Sequence, residues 1–204
     1  MVIYLKIIRD FESEIYSKNN RLLGNCFTLI IDKIKYYFEF EINNNQAKII
    51  MADKMQYILN VIDEFRKYNK YVNVFYNNDN SFYKSFDEIY TFKLPINIIQ
   101  PSKFFIDKDR LDVISNILED KEVFIPVTIL NDEYVCVDGH TRLLAKSLED
   151  NKMVNCYMTD LENHIDDLVY MAKEQNIRNV NKMIVLNHEE YNKYWIEFLN
   201  SLYE

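Results

Sequence analysis

Most of the residues in this chain that could do chemistry together fall in one hexapeptide, Val137-Asp138-Gly139-His140-Thr141-Arg142. It follows the apolar run Tyr134-Val135-Cys136-Val137 and leads into Leu143-Leu144-Ala145-Lys146-Ser147-Leu148. A strand is therefore expected to turn through glycine into a helix. Gly139 is one of only 2 glycines in 204 residues, and glycine permits a positive φ or a close approach of backbone to ligand. N–H groups at a helix start suit an anion, above all a phosphate. An imidazole, a hydroxyl and a guanidinium fork beside them add to that suitability. Thr141 can donate a hydroxyl hydrogen bond, and Arg142 offers two parallel N–H groups. Asp138 would repel a bare phosphate, so its available roles are a metal contact, a proton acceptor, or a brace for His140 or the turn. The same residues also read as an ordinary Asp-Gly turn, a threonine cap and an exposed arginine in a first helical turn.

The elements that must position this turn can be read on both sides of it. Ile96-Asn97-Ile98-Ile99 is a short expected strand stopped by Gln100-Pro101. Asp107 is expected to cap a helix that turns Leu111, Ile114 and Leu118 inward. Phe124–Leu130 is the next strand, and Asn131-Asp132-Glu133 joins it to Tyr134–Asp138 as a hairpin. Val154–Met158 follows the turn's helix as a further strand. Leu161, Ile165, Leu168, Val169 and Ala172 then share a helical face behind Thr159 or Asp160. A last helix opens at Asn187-His188-Glu189-Glu190 and would bury Tyr191, Trp195, Phe198, Leu199 and Leu202.

Residues 1–92 read as a separate α+β region. Strands are expected at Ile3–Ile8, Cys26–Ile31, Lys35–Ile42 and Tyr71–Tyr76, with Ala47–Ile50 pairing back across Asn43-Asn44-Asn45. Asp53 is expected to cap an amphipathic helix burying Met55, Ile58, Leu59, Ile62 and Phe65. No chemical constellation is visible in this half, and its tyrosines and phenylalanines read as packing. The expected organisation is 1–92, then a core at 93–160, then a helical extension at 161–204.

Composition narrows the function classes. The net charge of −8, with 11 Lys and Arg against 16 Asp and Glu between residues 93 and 182, opposes a broad nucleic-acid footprint. Cys26, Cys136 and Cys156 are odd in number and widely spaced, which suggests neither a zinc site nor a disulfide framework. Cys136 and Cys156 fit buried small hydrophobes. The apolar Met1–Lys6 soon meets Arg9, Asp10 and Glu12, and no run has membrane-spanning length, so a cytoplasmic location is expected. His164 and His188 are single histidines without ligand-spaced neighbours.

The order strand, Pro, helix, strand, hairpin strand, Asp-Gly-His-Thr-Arg, helix, strand resembles the ParB/sulfiredoxin superfamily. Leu94-Pro95-Ile96, Pro126-Val127-Thr128-Ile129 and Val137–Arg142 carry the resemblance. It implies a ParB/sulfiredoxin-like α+β fold, a mixed sheet with flanking helices, here preceded by an α+β region and followed by a helical tail. It also implies a site for nucleotide phosphates: ATP in sulfiredoxins, CTP in ParB proteins, ADP in free serine kinases. Sulfiredoxins place a reactive Cys directly before His-Arg, and this chain has His140, Thr141 and Arg142 there, so sulfinic-acid reduction is not expected. Free serine kinases carry Asp-Gly-His-His-Arg, a match at four of five positions. Their carboxylate base near the proline after the first strand has no counterpart in Gln100-Pro101-Ser102-Lys103; Asp107 and Asp109 are the nearest acids.

ParB proteins add a second box with Glu-Asn followed by Gln-Arg. Glu174-Gln175-Asn176-Ile177-Arg178 is a degenerate echo of it, and reads more readily as a polar helix end running into a loop. From the resemblance, Glu174 would help hold a divalent metal and Arg178 would face the phosphates. The basic helix-turn-helix of ParB is missing: the last helix carries Glu189, Glu190, Glu197 and Glu204 against Lys193.

These observations give three expectations. The first is a nucleotide-binding protein, either a Mg2+-dependent phosphotransferase or a nucleotide hydrolase. Gly139, His140, Thr141, Arg142 and Arg178 would hold the phosphates of ATP, ADP or CTP. Asp138 and His140 would handle protons, and Glu174 would hold the metal. The second is a non-enzymatic ParB-like regulatory module that binds a protein partner or DNA, although the acidic charge disfavours DNA. The third is a scaffold whose box has decayed.

Overall fold

The computed structural model describes residues 5–119, 121–149, 152–160 and 164–202. It divides into two compact units, 1–89 and 90–204.

The first unit is a six-stranded sheet with a helix on it. Its elements are β1 (Leu5–Arg9), α1 (Lys18–Leu23), β2 (Cys26–Ile31), β3 (Ile34–Asn43), β4 (Gln46–Ala52), α2 (Ile58–Tyr68), β5 (Val74–Tyr76) and β6 (Phe82–Ser85). The strands lie in sequence order, antiparallel except where α2 carries the chain from β4 to a parallel β5. Aromatic and β-branched residues fill the inward positions, as half-buried strands require. Phe27, Phe40, Phe65 and Phe75 form a fully buried cluster, with the Phe40 and Phe65 rings 4.7 Å apart and Phe65 and Phe75 edge-on at 5.7 Å. These phenylalanines, with Phe38, are core, whereas Phe82 is 61% exposed.

The expected helix of this unit starts later than its pattern suggests. Asp53 is not its cap: its Oδ2 accepts the Tyr37 backbone N–H at 2.9 Å, extending the β3–β4 pairing past the end of β4. A 3₁₀ turn, Met55–Tyr57, comes first, and α2 begins without a side-chain cap, burying Ile58, Val61, Ile62 and Phe65 while Met55 and Leu59 stay exposed. The expected strand at Tyr71–Tyr76 shrinks to β5: the Val72 N–H turns back to the Asn69 carbonyl at 3.0 Å, so pairing as a strand starts only at Val74. Of the strand expected at Ile3–Ile8, residues 3 and 4 lie outside the described residues.

The second unit is built on a five-stranded mixed sheet. Its elements are β7 (Thr91–Pro95), β8 (Ile99–Pro101), β9 (Phe105–Asp107), α3 (Lys108–Leu118), β10 (Phe124–Leu130), β11 (Glu133–Cys136), α4 (His140–Ser147), β12 (Met153–Met158), α5 (Ile165–Glu174), β13 (Ile184–Leu186), α6 (His188–Tyr191) and α7 (Glu197–Leu202). The sheet order is β7-β12-β10-β11-β8, with β10 parallel to β12 and β11 parallel to β8. With its flanking helices this is the expected α+β architecture.

The β10–β11 hairpin turns at Asn131 and Asp132, both at positive φ, as a two-residue turn matched to strand twist requires. Asp107 caps α3, accepting the Asp109 and Arg110 N–H groups, and Leu111, Ile114 and Leu118 point inward as expected. Ile96–Ile98 differs from the sequence expectation: it forms a 3₁₀ turn. The edge strand β8 comes after it and contains Gln100-Pro101, a proline that an edge tolerates.

The carboxyl-terminal segment packs within this unit. β13 pairs in parallel with β9, and Asn187 caps α6 through the Glu190 N–H at 2.9 Å. A π-helical turn, Asn192–Ile196, lies between α6 and α7, so the expected last helix is not regular. It still buries Tyr191 and Trp195, with Trp195 edge-on to Phe104 at 5.1 Å. In the expected helix after Thr159, α5 starts at Ile165, its cap is His164 in the left-handed region, and Leu161 lies outside the described residues.

Candidate functional site

Parallel neighbours end at the same edge of a sheet. β8 and β11 pair with Pro101 opposite Cys136, so the residues after each, Ser102-Lys103 and Val137–Arg142, emerge side by side. The chain closes this edge with hydrogen bonds. The Ser102 backbone N–H donates to His140 Nε2 at 3.1 Å, and the Ser102 hydroxyl donates to the Cys136 carbonyl at 2.8 Å. Gln100 Nε2 donates to the Ile177 carbonyl at 2.9 Å, tying in the loop after α5.

The turn itself takes the expected form. Gly139 sits at φ 81°, ψ 22°, and α4 starts at the next residue with no side chain capping it. A Cβ built on Gly139 would lie 2.9 Å from Nε and Nη2 of Arg142, because the guanidinium folds back over the glycine. There Arg142 Nη2 donates to Asp138 Oδ2 at 3.2 Å. The turn thus needs glycine for its dihedral and for the guanidinium that covers it. Gly139→Ala is expected to cost about 1–2 kcal/mol through the left-handed backbone alone, and to push Arg142 aside. Urea unfolding measures the first effect.

Helix α4 is buried along its length, packed against α3, β9 and the Val180–Lys182 turn. Buried polar groups are costly unless paired. His140 is held by Ser102, Arg142 by Asp138, Lys146 by the Lys121 carbonyl and Ser147 by the Leu144 carbonyl. The Thr141 side chain has no hydrogen-bond partner among the described residues.

The electrostatics assign different states to the two residues expected to handle protons. Because a backbone N–H donates to Nε2, His140 carries its own proton on Nδ1 and is neutral. Burial, and next the charge of Lys103, push its pKa down to about 3. The Asp138 side chain is 30% exposed, against 10% for Arg142, so a carboxylate edge reaches solvent at the turn. Burial raises the Cys136 thiol well above its ordinary range and takes Cys156 to about 12, so both are inert buried thiols as expected.

Of the remaining expected site residues, Glu174 ends α5 and Arg178 follows in the loop; both side chains are exposed. Neither makes an ion pair among the described residues. The loop is joined to the site through the Gln100–Ile177 hydrogen bond. Among the described residues no group of three or more His, Cys, Asp or Glu gathers as a metal cage.

Sequence reasoning missed Ser102, Lys103 and the pair Asp107–His188, in which His188 Nδ1 lies 2.7 Å from Asp107 Oδ2. Asp107 Oδ1 is engaged by the α3 amides, so both its oxygens are in use. Topology could have found Ser102 and Lys103, once β8 was paired in parallel with β11.

The second unit is thus an α+β domain with a strand–glycine–helix turn at the carboxyl edge of its sheet. No protein-family model and no curated protein matches the chain. Among the solved structures that resemble part of it are the following two. One is protein Atu1540 from Agrobacterium tumefaciens, with 13% identity and a TM-score of 0.37, covering 47% of this chain and 62% of that one. The other is the C-terminally truncated chromosome-partitioning protein ParB from Caulobacter crescentus complexed with CTP-gamma-S, with 23% identity and a TM-score of 0.33, covering 43% and 53%. The chain therefore spans less than two thirds of either relative. No helix among the described residues is long and apolar enough to cross a membrane.

Proposed function

We propose that this protein binds the phosphates of a nucleotide at the Gly139–Arg142 turn. One observation carries the reading: an arginine guanidinium is folded over a left-handed glycine at the start of a buried helix that no side chain caps. The helix-start amides and the Arg142 fork then face one anion. The Thr141 hydroxyl adds a donor, and Arg178 reaches the phosphates from the loop tied down by Gln100. The resemblance of the Asp-Gly-His-Thr-Arg box to the ParB/sulfiredoxin superfamily supports ATP, ADP or CTP as the ligand.

Mg2+ fits this site best as an ion carried by the phosphates, since such ions keep several waters and take one or two carboxylates. Asp138 is the carboxylate at the turn, and Glu174 would have to reach the ion from the exposed end of α5. If phosphoryl transfer or hydrolysis occurs here, Asp138 is the better placed proton acceptor. The Nε2 lone pair of His140 already serves the Ser102 N–H, so its part is to pin the β8 end against the turn. That same observation favours a second reading, a binding module without catalysis. Glu189, Glu190 and Glu197 are exposed on the last helical segment, which points such a module to a protein partner and away from DNA.

A thermal-shift screen with ATP, ADP, CTP and GTP, each with Mg2+, tests the proposal. A ligand that binds only the folded state raises the midpoint as its concentration exceeds Kd. At least one nucleotide should do so, and no shift with any of them at millimolar concentration overturns the reading. A gel shift at low salt separates the two readings of partner, with no duplex binding expected.

A further inference from the structure

The half-buried Lys103 follows directly on Ser102, whose N–H and hydroxyl are locked to His140 and the Cys136 carbonyl. Lys103 is thereby held beside the turn. Its Nζ donates to the Tyr191 hydroxyl at 2.6 Å and lies 4.9 Å from the Tyr191 ring centre and 5.5 Å from that of Trp195. Among the described residues no carboxylate lies within ion-pair distance of it, and an ammonium has three donors, of which one is used here. Asp138 on the turn and Asp107 at the end of β9 act on its charge from further away, opposed by Arg110. Burial first, then Arg110, lower its pKa to about 7, the mark of a cation short of a counter-ion.

We propose that Lys103 is a phosphate-binding residue of the nucleotide site, joining Arg142 on the same ligand, and that its aromatic cover, Tyr191 and Trp195, reports and adjusts to occupancy. This rests on the phosphate reading of the Gly139–Arg142 turn. The ligand it selects is a nucleoside di- or triphosphate over a monophosphate, because a second cation beside the turn gains more from each further negative charge the ligand carries. A phosphate brought to Nζ supplies the acceptor oxygens that the ammonium lacks. Trp195, the chain's single tryptophan, packs directly on this ammonium, so its emission should change on binding.

The test is a titration of the full chain with Mg-ATP, Mg-CTP and the matching monophosphates, followed by calorimetry and by Trp195 fluorescence. Wild type, Lys103→Met, Lys103→Arg and Tyr191→Phe are compared. Lys103→Met keeps the apolar stem and should bind the triphosphate about tenfold more weakly, the loss expected for one charge-assisted hydrogen bond. Its preference for tri- over monophosphate should shrink, and Lys103→Arg should recover most of the loss. Tyr191→Phe should bind within about twofold of wild type; a loss equal to that of Lys103→Met would make Lys103 only an anchor for the last helical segment and overturn the proposal. Lys103→Met binding as wild type does would also overturn it, with the phosphate turn intact. No binding by wild type would overturn the phosphate turn itself.

Discussion

Arg142→Ala is expected to weaken nucleotide binding about a hundredfold or more, the range seen when one member of a buried, hydrogen-bonded charge pair is truncated. The guanidinium is the group best prepared for phosphate. It is fixed over Gly139, aligned by Asp138 and nearly enclosed, so little side-chain entropy remains to be lost when the ligand arrives. Arg142→Lys should restore only part of the affinity, because an ammonium cannot present two parallel N–H groups to one phosphate. Asp138 keeps a solvent-exposed edge, so the unpaired carboxylate left by alanine is hydrated and the fold should survive. Calorimetry on both variants, beside their unfolding midpoints, checks this. A binding loss that merely tracked a collapse in stability would place Arg142 in the scaffold.

The second large effect is a loss of stability in acid, centred on His140. In the folded protein the ring stays neutral down to about pH 3, because it is buried and lies near the charge of Lys103; in the unfolded chain it titrates near its ordinary 6.5. Below that value the unfolded state takes up a proton that the folded state refuses. The contribution is therefore fully present above pH 6.5 and is lost as pH falls towards 3, at up to about 1.4 kcal/mol per pH unit. His140→Gln offers an amide oxygen to the Ser102 N–H without a titrating group. Urea unfolding at pH 7, 6, 5 and 4 should show the wild type losing stability more steeply than this variant by up to one proton equivalent. Parallel slopes would mean that the ring is solvated or protonated in the folded state.

Much of this site could be read from local sequence. The turn is legible because a scarce glycine, an apolar strand and a helical face meet within a few residues, and because Asn131-Asp132 fixes the preceding hairpin. Asp107 and Asn187 were legible as caps for the same local reason. The clamp on His140 was not, since its partner lies 38 residues earlier and depends on β8 pairing in parallel with β11. Nor was the setting of Lys103, which needs Tyr191 brought in from 88 residues away. Ile96–Ile98 misled because its β-branched residues favour a strand, whereas the chain makes a 3₁₀ turn there between the end of β7 and the start of β8 at Ile99. Asp53 misled because its carboxylate had two candidate amides, and that of Tyr37 won over a helix start.

The central claim, that phosphate binds at the Gly139–Arg142 turn, is tested most directly by a crystal structure of the protein grown with a non-hydrolysable nucleotide and Mg2+. Phosphate oxygens are expected within hydrogen-bond distance of the Gly139–Arg142 amides and of the Arg142 guanidinium. A nucleotide bound elsewhere, or a turn that stays free of it at saturating concentration, would contradict the account.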